Sequence, residues 1–413
     1  MIDLTDLRQA IAWLRSTAAV RRRCNEILSL GENGALANFT VCLWRLEAAA
    51  QYVADATRRN YPDLNIPYHA RWRHFATGGR DRWAELALTL RDEQPAEIAR
   101  IRFDLVVVSV LLDAGAGPKW RYTEPDTGLT LSRSEGLAIA SLHAFRAGLF
   151  SSDQARKLQA DSIGLERIDE SALARALQVH PGNELAGLAG RTLLMRNLGT
   201  ALKRHPELFG CCEPRIGHLF DHFRALAAGG PLRAHDILRT ILVALASIWP
   251  GRIFLDGENL GDVWRYAAIT SGGLTAGLVP FHKLAQWLTY SLVEVLQDAG
   301  IAVAGMDEMT GLAEYRNGGL FLDFGVLQLR DERLASDPLP VDHEAIVEWR
   351  ALTIALLDRI AEPIRRCLGC KAAEMPLARV LEGGTWAAAR IIARERRRDG
   401  APPLRVISDG TVF

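Results

Sequence analysis

No excess of charge of either sign marks this sequence. Its 49 Lys and Arg residues balance 49 Asp and Glu, for a formal net charge of +0, so it lacks the basic footprint of a nucleic-acid or anionic-membrane binder. No uninterrupted apolar run reaches transmembrane length. The opening MIDLTDLRQAIAWLRS mixes Asp, Arg and apolar residues, without the basic head and continuous apolar core of a signal peptide. These absences give the expectation of a cytoplasmic protein with neither nucleic acid nor membrane as partner.

Cysteine is sparse as well. Of six, Cys24, Cys42, Cys211 and Cys212 are scattered, and Cys367 and Cys370 form a CxxC. No second pair or matching histidines follow at zinc spacing, and no thioredoxin-like βαβ context surrounds them, which favours a structural role. His218 and His222 lie one helical turn apart but outside an HExxH frame. The Walker A loop, the Rossmann glycine fingerprint and the GxSxG elbow are missing too. Neither a metal nor a cofactor is therefore expected. The remaining inventory, Asp and Glu near Arg, Lys, His and Trp, suits metal-independent acid/base hydrolysis of an anionic substrate.

What is present points to a large core. The chain has 413 residues, 49% hydrophobic and 24% charged, as a globular protein does. Periodic segments separated by short Pro/Gly loops predict a mainly α fold with a few short β-strands or hairpins. The expected organisation is one helical domain over 1–413. It is open to subdivision into an N-terminal part, 1–150, with a hairpin at 119–131, and a C-terminal catalytic part, 151–413. Helical spacing predicts helices over 5–28, 41–59, from Pro95 through Leu112, and from Asp342 to Ile360 with Pro363 just beyond. The tail 404–413 alternates apolar residues as if docked, presenting Asp409.

Three clusters carry candidate chemistry. Tyr68–Phe75 interleaves His69, Arg71, Arg73 and His74 with aromatic rings; it reads either as a ligand cradle or as arginines paired with the chain's own acids. Asp113, Trp120, Arg121 and Glu135 flank the predicted hairpin and could meet beside a helix start, or form a surface flap. The third, Trp264–Asp323, is the most concentrated. A Gly-rich turn (Ser271, Gly272, Gly273, Gly277) leads to Pro280 at the head of a periodic helix, which closes near Gly300. An acidic loop with Asp307, Glu308, Glu314 and Arg316 follows, then an Asn317-Gly318-Gly319 turn signal and an apolar strand ending at Asp323. Such a pattern describes either a supported pocket or a buried helix–strand pair.

Several long motifs carry a family resemblance: GPKWRYTEPDTGLTLSRSEGLAIASLHAF, NLGDVW, GLVPFHKLAQWLTYSL, MTGLAEYRNGGLFLDFGVL and SDGTVF. On these the chain resembles the uracil-catabolism protein family of fungi and bacteria over nearly its whole length. The resemblance implies a pathway: family genes accompany a uracil phosphoribosyltransferase and a GTP-cyclohydrolase-II-like, ring-opening enzyme. The route passes through a ribosylurea species and releases urea. Cleavage between ribose and urea, an N-glycosidase step, is the one such a protein would fit. The helical pattern is also similar to queuosine-salvage nucleotide glycosylases, which implies a helix-hairpin-helix, DNA-glycosylase-like architecture. Where an acid is expected near the central helix start, this chain has Phe281-His282-Lys283, so no catalytic aspartate transfers directly.

Breaking a ribosyl C–N bond needs a carboxylate to orient water, a proton donor for the leaving nitrogen and cations for any 5′-phosphate. The carboxylates expected are Glu314 and Asp323, then Asp262. His282, Lys283 and Arg316 are the expected phosphate binders, with Trp120 and Arg121 covering the pocket and Arg73 and Asp409 as further contacts. For Glu314 with Arg316 a structural ion pair, and for Asp323 a turn cap, remain the competing readings. The expected partners are a small ribosyl substrate, with or without phosphate, and a second chain copy in a homodimer. A ureide or amide hydrolase and a non-catalytic pathway scaffold are the competing functions.

Overall fold

The computed structural model describes residues 2–411, and its architecture is mainly helical with short strands. In chain order the elements that matter are α1 (Leu7–Leu14), α2 (Thr17–Glu32), β1 (Phe39–Val41), α3 (Leu46–Asn60), α4 (Arg82–Leu88), α5 (Pro95–Leu111), β2 (Tyr122–Thr123), β3 (Thr130–Leu131) and α6 (Arg133–Arg146). They continue with α7 (Leu188–Arg204), β4 (Val263–Arg265), β5 (Leu278–Pro280), α8 (Lys283–Asp298), α9 (Tyr315–Asp323), β6 (Leu327–Leu329), β7 (Leu339–Pro340), α10 (Glu344–Leu368), α11 (Trp386–Arg396) and β8 (Val406–Ile407). Every sheet among the described residues is two-stranded.

The segments group into two units. The first comprises residues up to His69, Arg252–Gln286 and Gly305–Ile407; the second comprises Ala70–Gly251, Trp287–Ala304 and the chain from Ser408 on. The chain passes from one to the other inside α8.

In the first unit the predicted helix 5–28 is two helices. Ser16 is extended (φ −123°, ψ 151°) and its side chain accepts from Ala19 N–H, so it caps α2 and ends the previous turn. Val41, expected in a helix, lies in β1, where it pairs antiparallel with Leu327 of β6. Pro280 is in β5, not at a helix head, because Val263, Trp264 and Arg265 of β4 pair with Pro280, Val279 and Leu278. Proline lacks the N–H a central strand needs, and a two-stranded sheet leaves both strands as edges.

The α10 helix is the buried axis of this unit, packed by α2, α3 and α9. Its N-cap is His343, whose Nδ1 accepts from Ala345 N–H at 3.2 Å, in place of the expected Asp342. Pro363 lies inside the helix rather than beyond it. The apolar stripe continues past it through buried Ile364, and that packing offsets the roughly 3 kcal/mol an interior proline costs.

Residues 317–323 depart furthest from expectation: they form a helix, not a turn and strand. Gly318 tolerates helix here because a Cβ would lie 2.6 Å from Trp349 Nε1 and 2.7 Å from Thr353 Oγ1. The glycine therefore marks where α9 and α10 touch, backbone against side chain.

In the second unit the expected hairpin is present as β2–β3, and Pro95 opens α5 as predicted. From Phe103 to Leu111 every residue of α5 is buried. Two buried ion pairs brace the packing. Arg82 of α4 grips Glu124 at 2.5 and 2.6 Å beside the hairpin, and Arg215 meets Asp104 of α5 at 2.6 Å. The tail ends here: a Cβ on Gly190 of α7 would lie 2.2 Å from the Asp409 carbonyl oxygen.

Candidate functional site

Asp262, at the entry to β4, is buried and surrounded by donors. Oδ1 accepts from Arg350 Nη1 (2.8 Å) and Trp264 Nε1 (2.6 Å); Oδ2 accepts from Arg350 Nη2 (2.9 Å) and the Lys283 backbone N–H (3.0 Å). The Arg350 guanidinium, stacked 4.2 Å from the Phe281 ring centroid, helps hold its carboxyl far below the ordinary carboxylate range despite the opposing, larger effect of burial. The first N–H of α8 thus already faces a carboxylate of the chain. Neighbouring His282 is buried at a left-handed φ of 50°, with its Nε2–H donating to the Leu14 carbonyl (2.8 Å). Burial pushes its pKa down, so the imidazole is neutral at pH 7. Lys283 is buried, 7% exposed. This constellation joins α1, β4, α8 and α10 as a structural knot.

The glycine turn beside it is held by one cation. Arg23 of α2 is fully buried, and its Nη2 donates to the carbonyls of Ser271 and Thr275 and to Thr275 Oγ1, each at 3.0 Å. Gly272 has φ 104°, and a Cβ there would stand 2.5 Å from that nitrogen. Glycine is what lets the guanidinium reach the turn.

The start of α9 is organised differently. Glu314 is the N-cap, half-buried, and one carboxylate oxygen, Oε2, accepts from the backbone N–H groups of Arg316 (2.8 Å) and Asn317 (3.1 Å). Arg316 does not pair with it in the expected fashion; its Nη1 donates to the Gly400 carbonyl at 2.6 Å. Asn317 is 1% exposed, yet neither its Oδ1 nor its Nδ2 has a hydrogen-bond partner in the protein. The same holds for Trp349 Nε1, also 1% exposed, which lies against Gly318. Buried polar atoms left this way cost about 1–3 kcal/mol each, and native chains hold few of them. A carboxylate, an amide and an indole N–H are thus gathered about one helix start. Asp323, at the other end of α9, is gripped by Arg397 at 2.7 and 2.6 Å, which makes it an ion-paired brace.

The remaining expected residues belong to the second unit. Trp120 is core, its Nε1–H donating to the Leu177 carbonyl at 2.9 Å. Arg121 is exposed and donates to the carbonyls of Pro118 (2.9 Å) and Trp120 (2.7 Å). Arg73 pairs with Glu294 at 2.7 Å. Asp409 closes a local turn, accepting from the Thr411 N–H (2.9 Å) and hydroxyl (2.8 Å). Cys367 and Cys370 are free thiols, and no helix among the described residues is long and apolar enough to cross a membrane.

Sequence reasoning missed Asn317, read there as a turn former, Arg350, and the burial of Glu348, an acid expected to favour the α10 N-terminus by its charge. Glu348 is fully buried and accepts from Tyr266 Oη at 2.8 Å and Asn38 N–H at 3.1 Å. A signal was available: Glu348 and Arg350 are charges inside the apolar run AIVEWRALTIALL, where a charge survives only with partners.

A mainly helical chain with an N-capping carboxylate beside unpaired buried amide and indole groups is the class defined so far. The chain belongs to the family described as Protein of unknown function (DUF1688), matched over residues 13–413. Among curated proteins it is 36% identical to Protein urg3 of Schizosaccharomyces pombe over 413 residues, covering 98% of this chain and 99% of that one. It is 35% identical over 442 residues to Uracil catabolism protein 4 of Lachancea kluyveri, with the same two coverages. The family expected from the motifs is thereby shown.

Proposed function

We propose that this chain acts in uracil catabolism, as the name of its Lachancea relative says of that protein, and that it hydrolyses the N-ribosyl bond of ribosylurea or its 5′-phosphate. The observation that carries the reading is the Glu314–Asn317 pair at the start of α9. In that reaction the C1′–N bond breaks, water oxygen bonds to C1′, one water proton passes to a carboxylate, and the departing nitrogen takes a proton to leave as urea. Glu314 is the carboxylate, oriented by the two N–H groups on Oε2. The Asn317 amide, with one acceptor and two donors, complements the donors and carbonyl of a urea group.

Incubating the full chain with ribosylurea, with and without 5′-phosphate, and assaying free urea tests this. Urea is expected from at least one form, and Glu314→Gln should lower the rate ~100-fold or more, as loss of a general base does. No urea from either form, with folded protein, overturns the proposal. Ammonia or carbamate in place of urea would assign a ureide hydrolase.

A further inference from the structure

The second unit holds another group of buried polar atoms, remote in sequence from Glu314. Arg71 is fully buried. Its Nε donates to Ser109 Oγ at 2.7 Å, and that oxygen lies 2.7 Å from Ser141 Oγ. Nη1 donates to the Ser134 carbonyl in the first turn of α6 (3.2 Å) and lies 3.1 Å from Asp113 Oδ2. The guanidinium stands 5.4 Å from the Trp287 ring centroid. Asp113, 6% exposed, follows α5 in a loop fixed by fully buried Arg191, which donates to the carbonyls of Leu112 (2.9 Å) and Ala114 (2.8 Å). Every part of the cluster is therefore held by packing or hydrogen bonds, which is how a binding constellation is kept in geometry.

Two atoms are left over. Arg71 Nη2 and Asp113 Oδ1 are both buried and have no hydrogen-bond partner in the protein. Each shares a carbon with an atom of the 3.1 Å pair, so one donor and one acceptor of the same ion-paired cluster are left without a partner. The charges of Arg71 and Asp113 cancel, and Glu135 adds a negative field at Arg71. A free anion is thus disfavoured, while a neutral group with its own donor and acceptor satisfies both atoms.

We propose that Arg71, Asp113 and the start of α6 form a binding site for a small neutral ligand presenting an acceptor and a donor on neighbouring atoms. Adjacent sugar hydroxyls do this, and so do the carbonyl and N–H of a ureide. The assignment does not depend on Glu314 being catalytic. Saturation-transfer NMR with the full chain and either D-ribose or N-methylurea tests it and separates the two sources. At least one should bind, and Asp113→Asn should weaken it ~10-fold or more, as loss of a charged acceptor does. Where that variant fails to fold, hydrogen exchange on the unmodified chain reads the same site, and ligand should protect 109–116 and 133–138. Binding of neither ligand, or binding that a folded Asp113→Asn leaves unchanged, overturns the site and reduces the pair to a structural ion pair. Protection elsewhere does the same.

Discussion

Two buried or half-buried carboxylates of the first unit, Asp262 and Glu314, are held differently, and under the proposed function they separate into a scaffold group and a group that acts on substrate. Asp262 has four donors on its two oxygens. Removing its charge strands Arg350 in a buried site, so Asp262→Ala should destabilise by about 3–5 kcal/mol, the usual consequence of breaking a buried pair. Urea denaturation reads this directly, and a midpoint unchanged from the parent would show the pair to be dispensable. Glu314→Gln, by contrast, keeps an oxygen for capping α9 and should leave the midpoint within about 1 kcal/mol while turnover falls. Gly318→Ala forces a methyl against Trp349 Nε1, 2.6 Å away; overpacking of that kind costs about 1–3 kcal/mol. A variant as stable as the parent would mean that α9 can back away from α10. Glu314 draws attention in the sequence by its place in an acidic loop before an apolar run, and the structure makes it the N-cap of α9. The pairing of Asp262 with Lys283 and Arg350 does not show in the sequence around it, because those partners come from 21 and 88 residues away and no local pattern records such a pairing.

At the level of elements, propensity and tertiary contact disagree at identifiable places. The α5 helix and the hairpin were readable because Pro95 and the Pro-Asp-Thr-Gly turn act locally. The α9 helix was not: Asn-Gly-Gly is turn chemistry, and only the closeness of Trp349 explains why glycine sits inside a helix. Likewise Pro363 stops a helix on local grounds, but α10 is buried deeply enough to run through it. The junction of α4, the hairpin and α6 gives a pH prediction. Glu124 is gripped by Arg82 and receives bonds from Thr127 Oγ1 (2.6 Å) and His143 Nε2 (3.1 Å). The Arg82 guanidinium foremost holds its carboxyl down to about 2, from an ordinary 4.5. Because the folded value lies below the unfolded one, the stabilisation is present above pH 4.5 and is lost as pH falls toward about 2. Glu124→Gln should therefore be markedly less stable than the parent at pH 7, with the gap narrowing through that window. A gap that stays constant down to the acid limit would remove Arg82–Glu124 as an acid-sensitive brace.

For the molecule as a whole, the route of the chain matters more than any one motif. The two units are each assembled from separated stretches, and the last one, from Ser408, returns to the second unit after Ile407 closes β8 in the first. That return is tightly fitted: Cβ atoms on Gly187 and Gly190 would meet Gly410 N at 2.4 Å and the Asp409 carbonyl oxygen at 2.2 Å. The sequence pattern predicts docking through alternating apolar residues, whose closing pair at 412–413 lies outside the described residues. Ile407 is instead 56% exposed, and the close fit is backbone against Gly187 and Gly190, which look like ordinary punctuation. Ending the chain at Ile407 deletes this contact, and Gly190→Val displaces it without shortening the chain. Both changes should lower the melting temperature in the same direction, by roughly 2–4 °C for each kcal/mol lost in a unit of some 150–250 residues. Because Arg191, next to Gly190, fixes the loop that carries Asp113, both should also raise hydrogen exchange in residues 112–116. If the truncated chain melts with the parent and that loop exchanges no faster, the tail is an ornament of the fold, and the order of the Asp113 loop must come from α5 and α7 alone.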